Sequence, residues 1–287
     1  MERRIRPFLP EDLEELSRFA QRLNAARETG SSFCCARAED IRRDFEGTMA
    51  YSFACWEGER PLGLISCFPD REKRNADCSL LLEPAGDAYR EAAGQLLSAA
   101  REALGPDMAC TFFFPRENAA CRALLEGAGA RRQVNEYILR LRRADWKRPH
   151  LLPAGPLPVR EEERDAFTAL HDKIFPGVYI SGRDIWEDLG NSRFIYRVLD
   201  QEGFAAYGVL QVQGGGRATA EVIGVREDVR GRGYGRSVLH HLAEEAFLRL
   251  GAEELELVVD ADNETALRLY LGAGFRIWQE NNCFVLR

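Results

Sequence analysis

The sequence lacks any long hydrophobic run. Its longest apolar stretches, such as FAAYGVLQV at 204–212, fall far short of the roughly 18 residues that a membrane span needs. The N-terminal segment MERRIRPFLPEDLEEL has no apolar core of the kind found in secretory signals. With 45% hydrophobic and 30% charged residues over 287 positions, the composition is that of a soluble globular protein, and we expect no membrane partner.

Paired cysteine motifs are also missing. The eight cysteines include no C-x-x-C, and their irregular placement favours free thiols in a reducing, cytoplasmic compartment over a disulfide framework. No histidine lies near Cys34 and Cys35 in the sequence, as a metal site there would require. Adjacent helical residues point in different directions, so we expect one partly buried and one exposed histidine at His240–His241, and no bound metal.

Excess positive charge, which nucleic-acid binding would favour, is absent as well. The net charge is −7, and residues 1–150 hold 24 basic and 24 acidic side chains, so the whole deficit lies in residues 151–287, with 15 basic and 22 acidic. This balance argues against a nucleic-acid partner and in favour of a cationic or neutral one.

An internal repeat is present. FFFPRENAACRALLEGAGARR (112–132) and LVVDADNETALRLYLGAGFRI (257–277) share one order of strand, Asn, helix, Gly-Ala-Gly and second strand, at an offset of 145 residues. The pattern predicts two tandem domains of one fold, over residues 1–145 and 157–287. We place the linker at 146–156, within DWKRPHLLPAGPLP, whose four prolines suit an extended chain.

The C-terminal copy has the pattern of an α/β (α+β) domain. Apolar runs predict strands near 157–160 and at 193–200, 203–213 and 217–225. Helical spacing predicts helices over 162–174, in a short segment ending near 189, and from about 231 to 249. A strand at 254–261, a helix at 263–274 and a final strand pair complete the domain. The strand–helix–strand order around residue 231 implies a locally parallel sheet.

The start of the 231–249 helix is unusual, because RGRGYGR at 230–236 places three glycines and three arginines in seven positions. Glycine allows close approach of a ligand and positive φ, and a helix N-terminus presents unpaired N–H groups with a positive dipole. Together with Arg230, Arg232 and Arg236, these features favour a phosphate-binding site over an ordinary glycine-rich turn. The sequence contains no G-x-x-x-x-G-K-[ST], and the spacing differs from the G-x-G-x-x-G of dinucleotide-binding folds.

This stretch resembles the [QR]-x-x-G-x-[GA] motif of the GNAT family of acyl-CoA-dependent N-acyltransferases, at residues 230–235. About forty residues later, NETALRLYLGAGF (263–275) is similar to the family's N-x-x-A-x-x-L-Y-x-x-x-G-F segment. The resemblance covers residues 157–287 and implies two GNAT-like domains, each a mixed, mostly antiparallel sheet flanked by helices. In the first domain the motif falls on AGDAYR (85–90) and Tyr270 falls on Leu125. We therefore expect a degenerate first domain that does not bind CoA in the same way.

The resemblance implies an enzyme that transfers an acetyl or other acyl group from acetyl-CoA to an amine of a small molecule or peptide, by direct attack in a ternary complex and without a metal. The residues it implies for cofactor binding are Ile223, Gly224, Val225, Arg230, Gly231, Arg232, Gly233, Tyr234, Gly235, Arg236 and Asn263. Residues 231–236 would hold the pyrophosphate, Ile223–Val225 would pair with the pantetheine arm, and the Val225 amide would stabilise the oxyanion.

Two side chains are candidates for proton transfer. Glu221 would accept the proton of the amine, directly or through water, and Tyr270 would protonate the leaving thiolate. The alternatives are an exposed strand glutamate and an aromatic packing residue. Asn263 would contact the cofactor or only cap its helix. Tyr179 and Trp186, in the loop that shapes the acceptor site in this family, would line that site or anchor the loop.

Two other functional hypotheses remain open at this stage. A non-catalytic acyl-CoA-binding or regulatory module would keep the phosphate site without turnover, and a nucleic-acid-binding protein would use the arginine stretch, against the acidic balance of the second half. We expect a monomer or a homodimer.

Overall fold

The computed structural model describes residues 3–83, 86–149, 155–176, 180–213 and 216–287. The chain divides into two compact units, Met1–Glu136 with Gln279–Arg287 and Tyr137–Trp278. No helix in the described ranges is long and apolar enough to cross a bilayer.

The first unit contains a mixed sheet with helices on both faces. Its helices are α1 (Leu13–Asn24), α2 (Ala38–Thr48), α3 (Gly86–Leu104) and α4 (Ala119–Gly127). Its strands are β1 (Arg3–Pro7), β2 (Phe53–Glu57), β3 (Arg60–Asp70), β4 (Asn75–Leu82), β5 (Ala109–Pro115), β6 (Arg131–Arg132) and the end of the last strand, β13 (Arg276–Leu286). The order is β1-β2-β3-β4-β5-β13, antiparallel except for the parallel pair β4–β5.

Amphipathic helices explain why this sheet is covered on both faces. In α1 the apolar residues recur at three- and four-residue spacing, and Leu16, Phe19 and Leu23 are all buried against α2 and one face of the sheet. The other face packs against α3 and α4 in a core that includes Leu96, Phe112 and Phe284. Burial of these stripes is the main source of stability in such a layered unit.

The second unit repeats this plan. Its helices are α5 (Arg164–Ile174), α6 (Gly182–Glu187), α7 (Tyr234–Glu244) and α8 (Glu264–Gly272). Its strands are β7 (Glu136–Arg142), β8 (Leu157–Pro158), β9 (Arg193–Asp200), β10 (Gly203–Gln213), β11 (Arg217–Val225) and β12 (Glu254–Asp260). The order β7-β12-β11-β10-β9-β8 contains the parallel pair β11–β12, while β8–β9, β9–β10 and β10–β11 are antiparallel. α7 and α8 pack on one face, α5 and α6 on the other.

Most predicted elements of this unit are confirmed, including the strands at 193–200, 203–213 and 217–225 and the parallel pair. The helix predicted from residue 231 begins at Tyr234, because Gly231 and Gly233 have positive φ, and it ends in one π-helical turn over Glu245–Arg249. The predicted final strand pair is wrong, since Arg276–Leu286 is one continuous strand. Its polar run is accommodated inside the strand, where Gln279 Nε2 donates to Asn281 Oδ1 at 2.7 Å.

The compact units do not coincide with the domains 1–145 and 157–287 predicted from the sequence. Strand β7 packs in the second unit, where Leu139 and Leu141 are buried, and Gln279–Arg287 packs in the first, where Leu286 is buried. An apolar alternation shows that a segment is a buried strand, and it does not show which sheet receives the strand. Residues 150–154 of the predicted linker lie outside the described residues.

Candidate active site

The loop between β11 and α7 forms an open backbone cradle. Gly231 has φ +79° and Gly233, the residue before α7, has φ +87°, a left-handed conformation that side chains rarely adopt. A Cβ built at Gly231 would meet no atom within 4 Å. The positive φ therefore favours glycine at both positions, and the space beside Gly231 stays open to a ligand.

Positive charge surrounds this cradle. Arg230, Arg232 and Arg236 are exposed, and the first two bend back so that Arg230 Nε lies 3.3 Å from the Val225 carbonyl oxygen and Arg232 Nη2 lies 3.4 Å from that of Asp228. The first turn of a helix also has N–H groups without intrahelical partners and the positive end of the dipole. The arrangement is suited to binding a phosphate group.

Arg226, which our sequence reasoning did not select, anchors the start of the loop. Its guanidinium donates to Asp200 Oδ2 at 2.7 Å, to Asp228 Oδ1 at 2.7 Å and to the Phe204 carbonyl oxygen at 3.1 Å. These hydrogen bonds lower the pKa values of the Asp200 and Asp228 carboxyl groups. Arg226 thus holds β9, β10 and the loop together, and the R-E-D sequence at 226–228 is the local signal for half of this clamp.

Strands β11 and β12 separate beside the cradle. Within residues 216–287, they pair only from Arg217↔Glu254 to Thr219↔Glu256, whereas β11 stays paired with β10 as far as Val225. A β-bulge lies just after the last of these pairs. Val222 pairs with Val209 and Ala220 pairs with Leu210, so Glu221 is the extra residue of β11. The backbone edge of Ile223–Val225 therefore borders a gap that opens toward the cradle.

The bulge also decides which residues of β11 face each side of the sheet. Ala218 and Ala220 before the bulge, and Ile223 and Val225 after it, contact the core beneath α7 and α8. Val222 joins the core beneath α5 and α6, and Gly224 faces the same side. The three elements of the predicted cofactor site meet at Gly235, where an added Cβ would lie 3.4 Å from Val225 Cγ2 and 3.7 Å from Leu269 Cδ2.

Glu221 lies beside this gap, and it is neither exposed nor free. Its side chain is only 4% exposed, and Arg193 donates to both carboxylate oxygens at 2.7 and 2.8 Å. Arg193 also donates to Asp188 Oδ2 at 3.0 Å. This two-point contact occupies both oxygens of the carboxylate. The alternative of an exposed strand glutamate does not describe this residue.

Tyr270 lies on α8 and packs against the same hydrophobic core as Val225 and Leu269. It is half-buried and packs against Phe275 with ring centroids 6.2 Å apart. Burial raises the pKa of its phenol to about 12. The hydroxyl group therefore remains protonated at neutral pH, as proton donation would require, and the ring packs as the aromatic alternative predicted.

The other predicted residues have varied surroundings. Asn263 caps α8, since its Oδ1 accepts from the Ala266 N–H at 3.1 Å, and Asn118 caps α4 in the same way at 3.0 Å from Cys121 N. Tyr234 is the first residue of α7 and is half-buried.

The two residues predicted to line the acceptor site are Trp186 and Tyr179. Trp186 is 5% exposed and packs on Phe167 with ring centroids 5.7 Å apart, which matches its anchoring alternative. Tyr179 lies outside the described residues.

Metal ligation finds no support in the described ranges. No group of three or more His, Cys, Asp or Glu side chains there is arranged to hold a metal ion. His240 is 5% exposed and His241 is half-buried, so the expected exposed histidine is wrong, and burial lowers the pKa of both imidazoles. All eight cysteines are free thiols, and burial raises the pKa of Cys34 and Cys35 to about 12.

Comparison with known proteins adds independent observations. Residues 158–275 match the acetyltransferase (GNAT) family. The chain is 18% identical to a GCN5-related N-acetyltransferase from Sphaerobacter thermophilus, with a TM-score of 0.81 over 99% of this chain and 95% of that one. A tandem GNAT protein from the clavulanic acid biosynthesis pathway is also 18% identical, with a TM-score of 0.72 over 99% and 98% of the two chains. No curated protein sequence matches the chain.

These similarities and the repeated topology place the chain in a class of two-unit proteins with the acetyltransferase fold in tandem. The segment that matches the GNAT family, residues 158–275, lies in the C-terminal half of the chain. The fold class inferred from the sequence is confirmed.

Proposed function

We propose that the protein is an N-acetyltransferase, with acetyl-CoA as acyl donor and an amine of a small molecule or peptide as acceptor. The observation that supports this best is the gap between β11 and β12, which begins at the Glu221 bulge and opens next to the Gly231–Gly235 cradle. A pyrophosphate in the cradle would place a pantetheine arm along Ile223–Val225, where its amides could pair with the free strand edge like an added strand.

Binding would be shared between backbone and arginine side chains. N–H groups of residues 231–236 would donate to the pyrophosphate, and Arg230, Arg232 and Arg236 would neutralise its charge. The Val225 N–H would donate to the oxyanion that forms when the amine nitrogen attacks the thioester carbon. One such donor contributes on the order of 10²–10³ in rate.

Proton transfer would use two groups of this chain. The phenol of Tyr270 would donate its proton to the leaving thiolate as the carbon–sulfur bond breaks. An alkylamine with a pKa near 10.4 must lose a proton before or during attack. Since Arg193 occupies both oxygens of Glu221, we assign Glu221 a role as base only through an intervening water.

The occupied carboxylate of Glu221 also supports a second candidate function, a non-catalytic acyl-CoA-binding module. The two candidates are separated by measuring CoA binding by calorimetry and thiol release from acetyl-CoA with a panel of simple amines, aminoglycosides, polyamines and peptides. The enzyme predicts thiol release that depends on one class of amine. Micromolar binding of CoA without thiol release for any amine would favour the binding module.

A further inference from the structure

A buried histidine and a buried tyrosine connect the segment after α5 to strand β11. His171 on α5 and Tyr207 on β10 are both 0% exposed. The imidazole Nδ1 lies 2.8 Å from the Tyr207 hydroxyl oxygen, and Nε2 lies 3.0 Å from the carbonyl oxygen of Ile180. One ring thus bridges two chain segments that lie nine and 36 residues from it in the sequence.

The partners fix the direction of both hydrogen bonds. A carbonyl oxygen only accepts, so Nε2 of His171 carries the proton and donates to Ile180. In a neutral imidazole the other nitrogen is then an acceptor, so the Tyr207 hydroxyl group donates to Nδ1. Each polar atom of the pair is satisfied, and the imidazole is held as one tautomer in one orientation.

The phenol of Tyr207 is also the surface on which Gly224 rests. A Cβ built at residue 224 would lie 2.3 Å from Tyr207 Cε1 and 2.8 Å from its hydroxyl oxygen, so only glycine fits there. Gly224 is the middle residue of Ile223–Val225, the edge that borders the gap. The position of the phenol therefore determines how this edge lies.

The segment that begins at Ile180 also makes close contacts with α5 through Gly182. The Gly182 N–H donates to Asp172 Oδ1 at 2.9 Å, and a Cβ at Gly182 would lie 2.8 Å from the Thr168 Cα. Ser181 and Asp184 then close a reciprocal cap on α6. Residues 180–187 consequently have one arrangement relative to α5, and the His171–Tyr207 pair extends that arrangement to β11.

The location of these residues gives the pair a functional meaning, which rests on the proposed function. The face of the sheet beneath α7 and α8 is filled by a hydrophobic core that includes Ile223 and Val225. An amine that reaches an acyl group held in the gap must then come from the opposite face, where α5 and residues 180–187 lie. We propose that His171 and Tyr207 are positioning residues that hold the 180–187 segment against the thioester-binding edge and so align the amine with the thioester.

Hydrogen exchange on the unliganded protein tests this coupling without any assumption about catalysis. Tyr207→Phe keeps the ring that supports Gly224 and removes the hydroxyl group, which leaves His171 Nδ1 without its donor. We expect the backbone amides of 181–187 and 223–225 to exchange about tenfold faster in this variant, as befits loss of a buried hydrogen-bond donor. Tyr196→Phe is the matched control, because Tyr196 is 3% exposed and its hydroxyl group donates to Glu245 instead.

Kinetics supplies the second measurement. With an amine that supports thiol release, Tyr207→Phe should raise the KM for that amine about tenfold and leave the KM for acetyl-CoA within about twofold, since a lost buried hydrogen bond has an effect of this order. His171→Gln, whose amide can still donate to Ile180, should give a smaller effect and serves if the first variant folds poorly. Unchanged exchange at both segments, or equal acceleration throughout residues 137–278, would overturn the inference. Failure of the wild-type protein to bind CoA would instead overturn the proposed function.

Discussion

At the scale of single residues, the cradle depends on two glycines in the left-handed region. A β-branched residue at Gly231 must either adopt φ near +79° at a cost of about 1–2 kcal/mol or rearrange the loop. We predict that Gly231→Val weakens CoA binding by at least about a hundredfold, because the cradle amides no longer converge on one phosphate. Isothermal titration calorimetry measures this effect.

Gly251 provides the matched control for this prediction. It follows the other end of the same helical segment, has φ +69°, and a Cβ there would also meet no atom within 4 Å. Gly251→Val should lower thermal stability about as much as Gly231→Val and leave CoA affinity unchanged. Equal losses of affinity in the two variants would show that the cradle has no specific role.

Tyr270 is the residue on which acid catalysis depends in the proposal. Tyr270→Phe should lower kcat about a hundredfold, the usual scale of a lost general acid, with little change in CoA affinity or melting temperature. Because burial raises the phenol pKa to about 12, the wild-type rate should show no alkaline decline from this group below about pH 10. A Tyr270→Phe variant with wild-type kcat would leave only the packing role.

Variants of the Arg193–Glu221 pair test whether the Glu221 carboxylate has a structural role, a catalytic role or both. Its side chains are 15% and 4% exposed, so Arg193→Met removes two hydrogen bonds from a buried carboxylate and should cost about 3 kcal/mol in urea unfolding. The double variant Arg193→Met with Glu221→Leu should recover most of that loss. If Glu221 also acts as a base through water, the double variant will be stable and inactive. A stable double variant with full activity would exclude Glu221 from catalysis.

The sequence predicted the features of these residues that depend on local backbone conformation. It did not predict the contacts made with side chains that are distant in the sequence. The positive φ of the cradle glycines follows from local residue type. The engagement of Glu221 by Arg193, 28 residues earlier, could not be predicted, because alternation along a strand places a side chain on a face without naming its neighbour. The burial of Trp186 likewise depends on Phe167 of another helix.

At the scale of elements, helix α7 contains two adjacent histidines, of which His240 is buried and His241 is half-buried. Burial lowers the pKa of His240 and His241 below 6.5, although Glu245 and Glu244 oppose the shift at His241. The unfolded chain then binds more protons below pH 6.5, so these groups make stability fall as pH drops from about 6.5 toward 5. Thermal melts across that range should show the decline.

A double replacement isolates the histidines in this prediction. His240→Leu with His241→Phe keeps apolar volume and preserves a ring opposite Tyr196, whose centroid lies 4.7 Å from that of His241. The melting temperature of the variant should fall less between about pH 6.5 and 5 than that of the wild-type protein. An identical decline in both proteins would assign the acid sensitivity to other groups.

Element boundaries were predictable to within a few residues, and irregular features inside the elements were not. The strands of the second unit and the helix after the glycine stretch follow from apolar periodicity and turn residues. The bulge at Glu221 and the π-helical turn at Glu245–Arg249 interrupt that periodicity without a signal in residue type. The bulge lies where β11 and β12 separate, and neither this separation nor the bulge could be predicted from the sequence.

At the scale of the whole molecule, one plan is used twice. Both units contain a parallel pair, β4–β5 or β11–β12, and a helix capped by an asparagine, and Gly129 and Gly274 both have positive φ. The repeat in the sequence predicted this duplication. It did not predict that each unit completes its sheet with a strand from the other half of the chain, because strands with similar apolar patterns suit either sheet.

We predict that, of the two units, the second alone holds a CoA cradle. The most direct test is the stoichiometry of CoA binding measured by calorimetry on three proteins, the wild type, Gly233→Val and Ala88→Val, the last at the position of the first unit that aligns with Gly233. We predict one CoA per chain for the wild type and for Ala88→Val, and no binding for Gly233→Val, whose left-handed φ of +87° a valine cannot easily adopt. Two sites per chain, or a site lost in Ala88→Val and kept in Gly233→Val, would contradict the account.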